Sequence, residues 1–471
     1  MSASQASLSL LLRRIAVFAL VLAIWFAPTP AGLTGPAWHL FAVFAGAIVS
    51  VLLGAFPLLT ASVLAVAAVV LTGTLEMSKA FSGFANPSVL LVVVAFLVAQ
   101  AVVKSGLGRR ISLLIVSAFG GSPLGLAYSV VLTDAVIAPA FPSNTARGGV
   151  LFPVVLSLAQ SAGSRPDDAE KRRLGGYLMF CGMASLAISS ALWLTATSVN
   201  PIGAQIAAQA GVDIGFGRWL IAASVPTIAA MLLLPIVVRF LFSPGVSETP
   251  DAPRAARAEL AKMGAMTRDE LITSAAFAVM VTGWVLAGSL NLSVTAVAFG
   301  GLGVLLATSV LTLDDISKQG DTLATFLWLA VLFALSGQLN ELGFMGYVGE
   351  RLALGLEGLP WPVVYVALLV LYVLLHYLFV SQTSQVLALL AVFLTVGVKN
   401  AVPAPLLCFA LLFASSYFSV ITPQGGSQNV IFVASGYLTQ RELYRMGLLT
   451  TVFFLTVFLL LGTPWLLFVT R

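Results

Sequence analysis

Residues 122–162 read SPLGLAYSVVLTDAVIAPAFPSNTARGGVLFPVVLSLAQSA, two apolar arms on either side of Pro142-Ser143-Asn144-Thr145. The stretch is far longer than the ~20 apolar residues that one membrane-spanning helix needs. Polar loops lead into it and out of it. Polar, non-helical backbone at membrane depth is tolerated only where it is buried in protein or lines a cavity. The reading that satisfies both constraints is a re-entrant helical hairpin with Ser143-Asn144-Thr145 at its tip. Residues 360–398 repeat the form, with Ser381-Gln382-Thr383 as the interruption.

The rest of the chain agrees with a membrane setting. Of 471 residues, 59% are hydrophobic and 9% charged, against ~25% charged in soluble domains. Spanning segments are expected near 12–28, 36–55, 57–74, 86–103, 177–196, 218–242, 271–288, 292–311, 322–339, 404–421 and 446–468. The fold class is therefore an all-α polytopic membrane protein with about eleven spans and two re-entrant hairpins. Arg13-Arg14 followed by Ile15–Ala27 has the form of a signal-peptide core. The run is long for that role, and Pro28-Thr29-Pro30-Ala31 makes an awkward cleavage site, so a retained first helix (1–35) is expected.

Placing the N-terminus inside puts Arg13, Arg14, Lys104, Arg109, Arg110, Arg165, Lys171, Arg172, Arg173, Arg239, Arg254, Arg257, Lys262, Arg268, Lys318, Arg441 and Arg445 in inner loops. Lys79, Arg218, Arg351, Lys399 and Arg471 fall outside, and Arg147 lies beside the first tip. This strong asymmetry obeys the positive-inside rule and predicts a cytoplasmic N-terminus and an outer C-terminus. The excess of +5 charges is scattered, with no patch for nucleic acid. Cys181 and Cys408 sit in apolar runs as small hydrophobes.

Two halves follow, 36–242 and 271–471, joined by a charged, Pro/Ala-rich cytoplasmic linker at 243–270. In the first, Lys104-Ser105-Gly106-Leu107-Gly108 ends a helix and the tip follows at 143. In the second, Asn340-Glu341-Leu342-Gly343 ends a helix and the tip follows at 381. After each hairpin comes a helix that runs into a polar break, Thr195-Ala196-Thr197-Ser198-Val199-Asn200-Pro201 and then Thr422-Pro423-Gln424-Gly425-Gly426-Ser427-Gln428-Asn429. Five spans and a hairpin per half make the second copy inverted. Inverted repeats with broken helices mark secondary transporters whose site lies near the midplane.

Two polar tips in corresponding places, with two matching breaks, resemble the divalent anion:sodium symporter family across nearly the whole chain. Pro142-Ser143-Asn144-Thr145-Ala146-Arg147-Gly148-Gly149, and His376-Tyr377 ahead of Ser381-Gln382-Thr383, look like the bacterial citrate and tartrate exchangers and the plastid oxoglutarate/malate translocators. The resemblance implies that Ser143, Asn144, Thr145, Ser381 and Thr383, with Gln382 at the second tip, hold substrate carboxylates. It also implies a homodimer whose protomers each have a fixed scaffold and a transport unit that moves like an elevator.

The chemistry of these residues fits a dianion. Hydroxyls and amides donate to carboxylate oxygens, and the second half-helix of each hairpin offers free N–H groups and a favourable dipole. The plainer reading is that the tips only cap half-helices. At the breaks, exposed carbonyls with Thr195, Thr197, Asn200, Thr422, Gln428 and Asn429 are candidates for holding Na+, or else for capping broken helices. Gln382 replaces the Asn usual in the family, which counts against a second Na+ site. Arg147, one turn after Ser143, is always charged and needs a reason to sit at membrane depth. One reading makes it a fixed cation in place of Na+, which favours exchange of one carboxylate for another. The other pairs it with Asp134 in the first arm. His376 is read as packing rather than as a proton carrier.

Other classes fit less well. A channel rarely carries paired polar hairpins in an inverted repeat. There is no G-x-S-x-G, H-E-x-x-H or P-loop in the chain, so neither an enzyme nor an ATP-driven pump is expected. No cofactor is expected beyond coupled Na+. The expectation is a carrier of di- or tricarboxylates in a bacterial inner membrane. The alternative is a Na+-coupled symporter of dicarboxylate or of another oxyanion such as sulfate.

Overall fold

A computed structural model describes residues 3–168, 172–379 and 381–470. Lys171 and Arg471 of the charge pattern lie outside the described residues. Within them the secondary structure is entirely helical.

Each of the eleven expected spans is a helix. Ala3–Phe26, Gly35–Leu52, Pro87–Ser105, Phe216–Leu241, Gly320–Glu341 and the run Gln440–Val469 contain stretches long and apolar enough to cross a membrane. Leu58–Leu71, Val294–Ala307 and Ala404–Tyr417 are shorter. Fourteen residues rise only ~21 Å, and the last of these is followed past its break by Ser427–Val433. Arg172–Ser189 is less apolar because it needs no lipid-facing side, being buried in protein from Leu174 to Ser189.

Both helix–turn–helix pairs are present, and one arm of each, Pro123–Ala140 and Gln382–Lys399, is itself long and apolar enough to cross a membrane. The first is Pro123–Ile137, a short turn, and Asn144–Ser161. The second is Trp361–His376 and Gln382–Lys399. Ser143 and Ser381 take the same position as N-caps of the second arms. Their hydroxyls accept from the backbone N–H of Ala146 and Ser384, at 3.3 and 3.5 Å.

The correspondence between halves extends to single backbone angles. Gly106 (φ 81°) and Gly343 (φ 80°) both turn a span through the left-handed region into a short helix, Leu107–Phe119 or Phe344–Leu354. A side chain with a Cβ is strained there. Neither short helix was expected as a separate element. The linker also holds more structure than its composition suggests. Asp251–Met263 is a helix lying along Leu107–Phe119, tied by Arg109–Glu259 at 2.8 Å. Arg110 donates to both carboxylate oxygens of Glu270 (2.7 and 3.0 Å) and to the Gly264 and Ala265 carbonyls.

The ion pairs also test the loop assignment. Lys104–Asp315, Arg109–Glu259, Arg110–Glu270 and Arg172–Glu442 each join groups assigned to one face, and Lys79–Glu341 and Lys399–Glu350 join groups assigned to the other.

The turn Ser82–Ala85 packs against Gly320–Glu341 so closely that a Cβ on Gly83 would lie 1.9 Å from the Ala330 carbonyl oxygen. Backbone cannot yield as a side chain does. Gly83→Ala is expected to lower stability by roughly 1–3 kcal/mol, seen as a fall in the thermal midpoint of the purified protein. An unchanged midpoint would show that this packing is loose.

Candidate functional site

The two hairpin tips face one cavity. It lies between them and the two breaks and has a volume of about 320 Å³, within the range of small-molecule sites. Its polar wall comes from Ser143 and Asn144, Ser381, Gln382 and Thr383, and the break residues Thr197, Ser198 and Ser427. The opposite wall is largely apolar, with Val51, Leu58, Phe96, Trp328 and Leu329 beside Thr325. Five of the six tip residues singled out in the sequence are thus brought together. The sixth, Thr145, is turned out of the lining and donates to Ser427 at 2.6 Å. Ser198, Ser427, Thr325 and Trp328 were not identified as site residues. Ser198 and Ser427 stand at the same place in the two breaks, each two residues before the break asparagine; Ser198 directly precedes the helix that resumes and Ser427 opens it.

Two residues of this polar wall also hold a buried amide nitrogen. Asn144 Nδ2 and Gln382 Nε2 have no hydrogen-bond partner. A buried donor without a partner costs about 1–3 kcal/mol, which an anionic ligand accepting from it would offset. Both amides open a helix directly behind a serine cap, so the helix N–H groups add to the same preference for negative charge.

The breaks are built alike. Asn200 Nδ2 donates to the Ser190 and Trp193 carbonyls at 2.7 and 3.0 Å. Asn429 Nδ2 donates to the Ser419 and Thr422 carbonyls at 2.7 and 2.9 Å. Each asparagine closes carbonyls ten and seven residues earlier, groups that the interrupted helix leaves open. Asn200 Oδ1 and Asn429 Oδ1 are buried without a donor, and both amide atoms of Gln428 are buried without a partner. Thr195 donates to the Pro139 carbonyl at 2.9 Å, and Thr422 enters through its carbonyl.

Tips and breaks are crossed between halves. Thr145 of hairpin one bonds Ser427 of break two, and Thr383 of hairpin two faces Ser198 of break one at 3.5 Å. Each tip is therefore completed by the other half of the chain.

Arg147 is fully buried and does not line the cavity. Its Nε lies 3.5 Å from Asp134 Oδ1. Ser185 and Ser189 donate to Asp134 Oδ2 at 2.8 and 2.6 Å. Arg147 Nη2 also contacts Asn144 Oδ1 (2.8 Å), the Leu186 carbonyl (2.9 Å) and Ser190 Oγ (2.7 Å). Geometrically this is the ion pair within hairpin one, and the formal charges cancel. Thirteen residues separate Asp134 and Arg147, and the same interval separates Tyr372 from Gln385 in hairpin two. There Gln385 Nε2 donates to the Tyr372 carbonyl at 2.9 Å. His376 is buried against Gln385 Oε1 (2.7 Å) and the Gly425 carbonyl (2.6 Å), which agrees with a packed, bonded histidine.

The family described as "Sodium:sulfate symporter transmembrane region" matches residues 8–470. The chain is 37% identical to YflS of Bacillus subtilis (strain 168), whose name proposes malate as its substrate, over 94% of this chain and 93% of that one. It is 30% identical to the L-tartrate/succinate antiporter of Escherichia coli (strain K12), over 96% and 97%. In fold it is similar to the crystal structure of the Alcanivorax borkumensis YdaH transporter, with a TM-score of 0.54 over 83% of this chain and 85% of that one at 18% identity.

Proposed function

The chain belongs to the sodium:sulfate symporter transmembrane family, the divalent anion:Na+ symporters, and on that premise we propose that it carries di- or tricarboxylates across the membrane by exchange. The observation that carries this reading is one cavity lined by both hairpin tips, each with a buried amide donor that has no partner, Asn144 Nδ2 and Gln382 Nε2. A substrate with a carboxylate at each end supplies both missing acceptors. A monoanion supplies one.

Exchange is supported by the relative named as an antiporter. Arg147 adds no net charge to the empty unit, because Asp134, buried with it in the same hairpin, cancels it. The halves 36–242 and 271–471 act as inverted repeats about the linker 243–270, with the hairpins and breaks as the moving unit. The working form is a homodimer in a bacterial inner membrane, with the N-terminus cytoplasmic and the C-terminus outside.

Na+-coupled symport is the second reading. It is favoured by Asn200 Oδ1 and Asn429 Oδ1, buried oxygens with no donor beside broken-helix carbonyls of the kind that coordinate Na+. Against it, Asn144 Oδ1 is already taken by the Arg147 guanidinium, and the Gly425 carbonyl by His376.

Labelled succinate or 2-oxoglutarate uptake into reconstituted vesicles separates these readings. Uptake at least tenfold faster into vesicles preloaded with dicarboxylate, and indifferent to a Na+ gradient, is the expected result. Na+-driven uptake into empty vesicles would establish symport instead.

A further inference from the structure

The two tips are equivalent in backbone but not in how their amides are held. Asn144 Oδ1 accepts from Arg147 Nη2 at 2.8 Å and lies 2.6 Å from Ser190 Oγ, whose one proton is shared with the Leu186 carbonyl, also at 2.6 Å. The guanidinium contact orients the amide plane and leaves Nδ2 as its one free group. At the second tip, the positions equivalent to Arg147 and Ser190 are engaged elsewhere. Gln385, four residues after Ser381 as Arg147 is after Ser143, spends its amide on the Tyr372 carbonyl and His376. Ser419, ten residues before Asn429 as Ser190 is before Asn200, donates to the Ser416 carbonyl at 3.1 Å. Neither holds Gln382. Its Nε2 has no partner, and its side chain has one more methylene and one more torsion than Asn144.

Resting on the dicarboxylate reading above, we propose that the tips divide the work: Asn144 is a fixed anchor for one carboxylate, and Gln382 is an adjustable arm whose length sets the carbon-chain length the site accepts. A methylene removed from the arm is then made good by a methylene added to the substrate. Succinate and glutarate differ by that one group and by nothing else.

The test is competition by succinate and by glutarate against labelled dicarboxylate exchange in proteoliposomes. Gln382→Asn is expected to raise the preference for glutarate over succinate about tenfold, equivalent to ~1.4 kcal/mol. Gln382→Met, of similar length with no N–H, is expected to weaken both substrates alike. An unchanged glutarate/succinate ratio in Gln382→Asn overturns the proposal. Should that variant not fold, Gln382→Met decides by itself: unchanged affinities overturn it, and equal weakening of both supports it. A wild-type protein that exchanges neither substrate removes the transport reading and this inference with it, whereas wild-type exchange with an unmoved ratio removes only the inference.

Discussion

Arg147→Met is expected to destabilise the protein by roughly 3–5 kcal/mol and to abolish exchange, because it leaves Asp134 charged and fully buried. Asp134 and Arg147 each have no exposed side-chain surface. Ser185 and Ser189 can solvate one carboxylate oxygen but carry no charge. The effect is a large part of the 5–15 kcal/mol that holds a typical domain together. It should appear as loss of monodisperse protein after detergent extraction. The double change Asp134→Asn with Arg147→Gln removes both charges at once, and the neutral Gln385 at the matching place in hairpin two shows that such an arrangement packs. Stability should therefore return. Exchange should return only in part, because Asn144 Oδ1 keeps Ser190 but loses the guanidinium. Full activity in the single variant would mean that the pair neither holds the tip nor matters to transport.

Asn200→Asp and Asn429→Asp are expected to be nearly as damaging as each other. A carboxylate only accepts, so each change deletes two bonds to buried carbonyls and sets an anion against them. The Ala variants leave the same carbonyls open without adding charge, at about 1–3 kcal/mol for each unmade bond. Asp should therefore be worse than Ala in both halves, read as thermal midpoint and as exchange rate in vesicles. A half that tolerates Asp would show that its break is held by something other than its asparagine.

The parts of this architecture written as local pattern were legible in the chain. Spans, hairpins and breaks announce themselves as apolar runs of set length with polar interruptions, and Ser143 and Ser381 as cap residues. What was not legible depends on which groups meet across hundreds of residues. Thr145 belongs to the tip motif, yet its hydroxyl is spent on Ser427. Ser198 and Ser427 look like filler in Thr/Ser/Gly-rich runs until the breaks are folded. The helix Asp251–Met263 was hidden by Pro253 and its charges. Pro is harmless in a first turn, and here the charges are satisfied by the neighbouring helix, Arg109 meeting Glu259. Asp134 and Arg147 could be paired on paper because both lie in one hairpin. Trp328 could not be assigned to the site, since nothing in its own helix distinguishes it from other buried aromatics.

The crossed bonds between tips and breaks bear on how the protein is made. Thr145 waits for a partner 282 residues later in the chain. At a synthesis rate of about 5–20 residues per second, that is an interval of roughly 15–60 s. Through that time hairpin one, polar tip included, has no completed socket in the bilayer. Assembly of the transport unit is thus a late event, and the nascent first half is the stage at which insertion factors and membrane proteases have access to it.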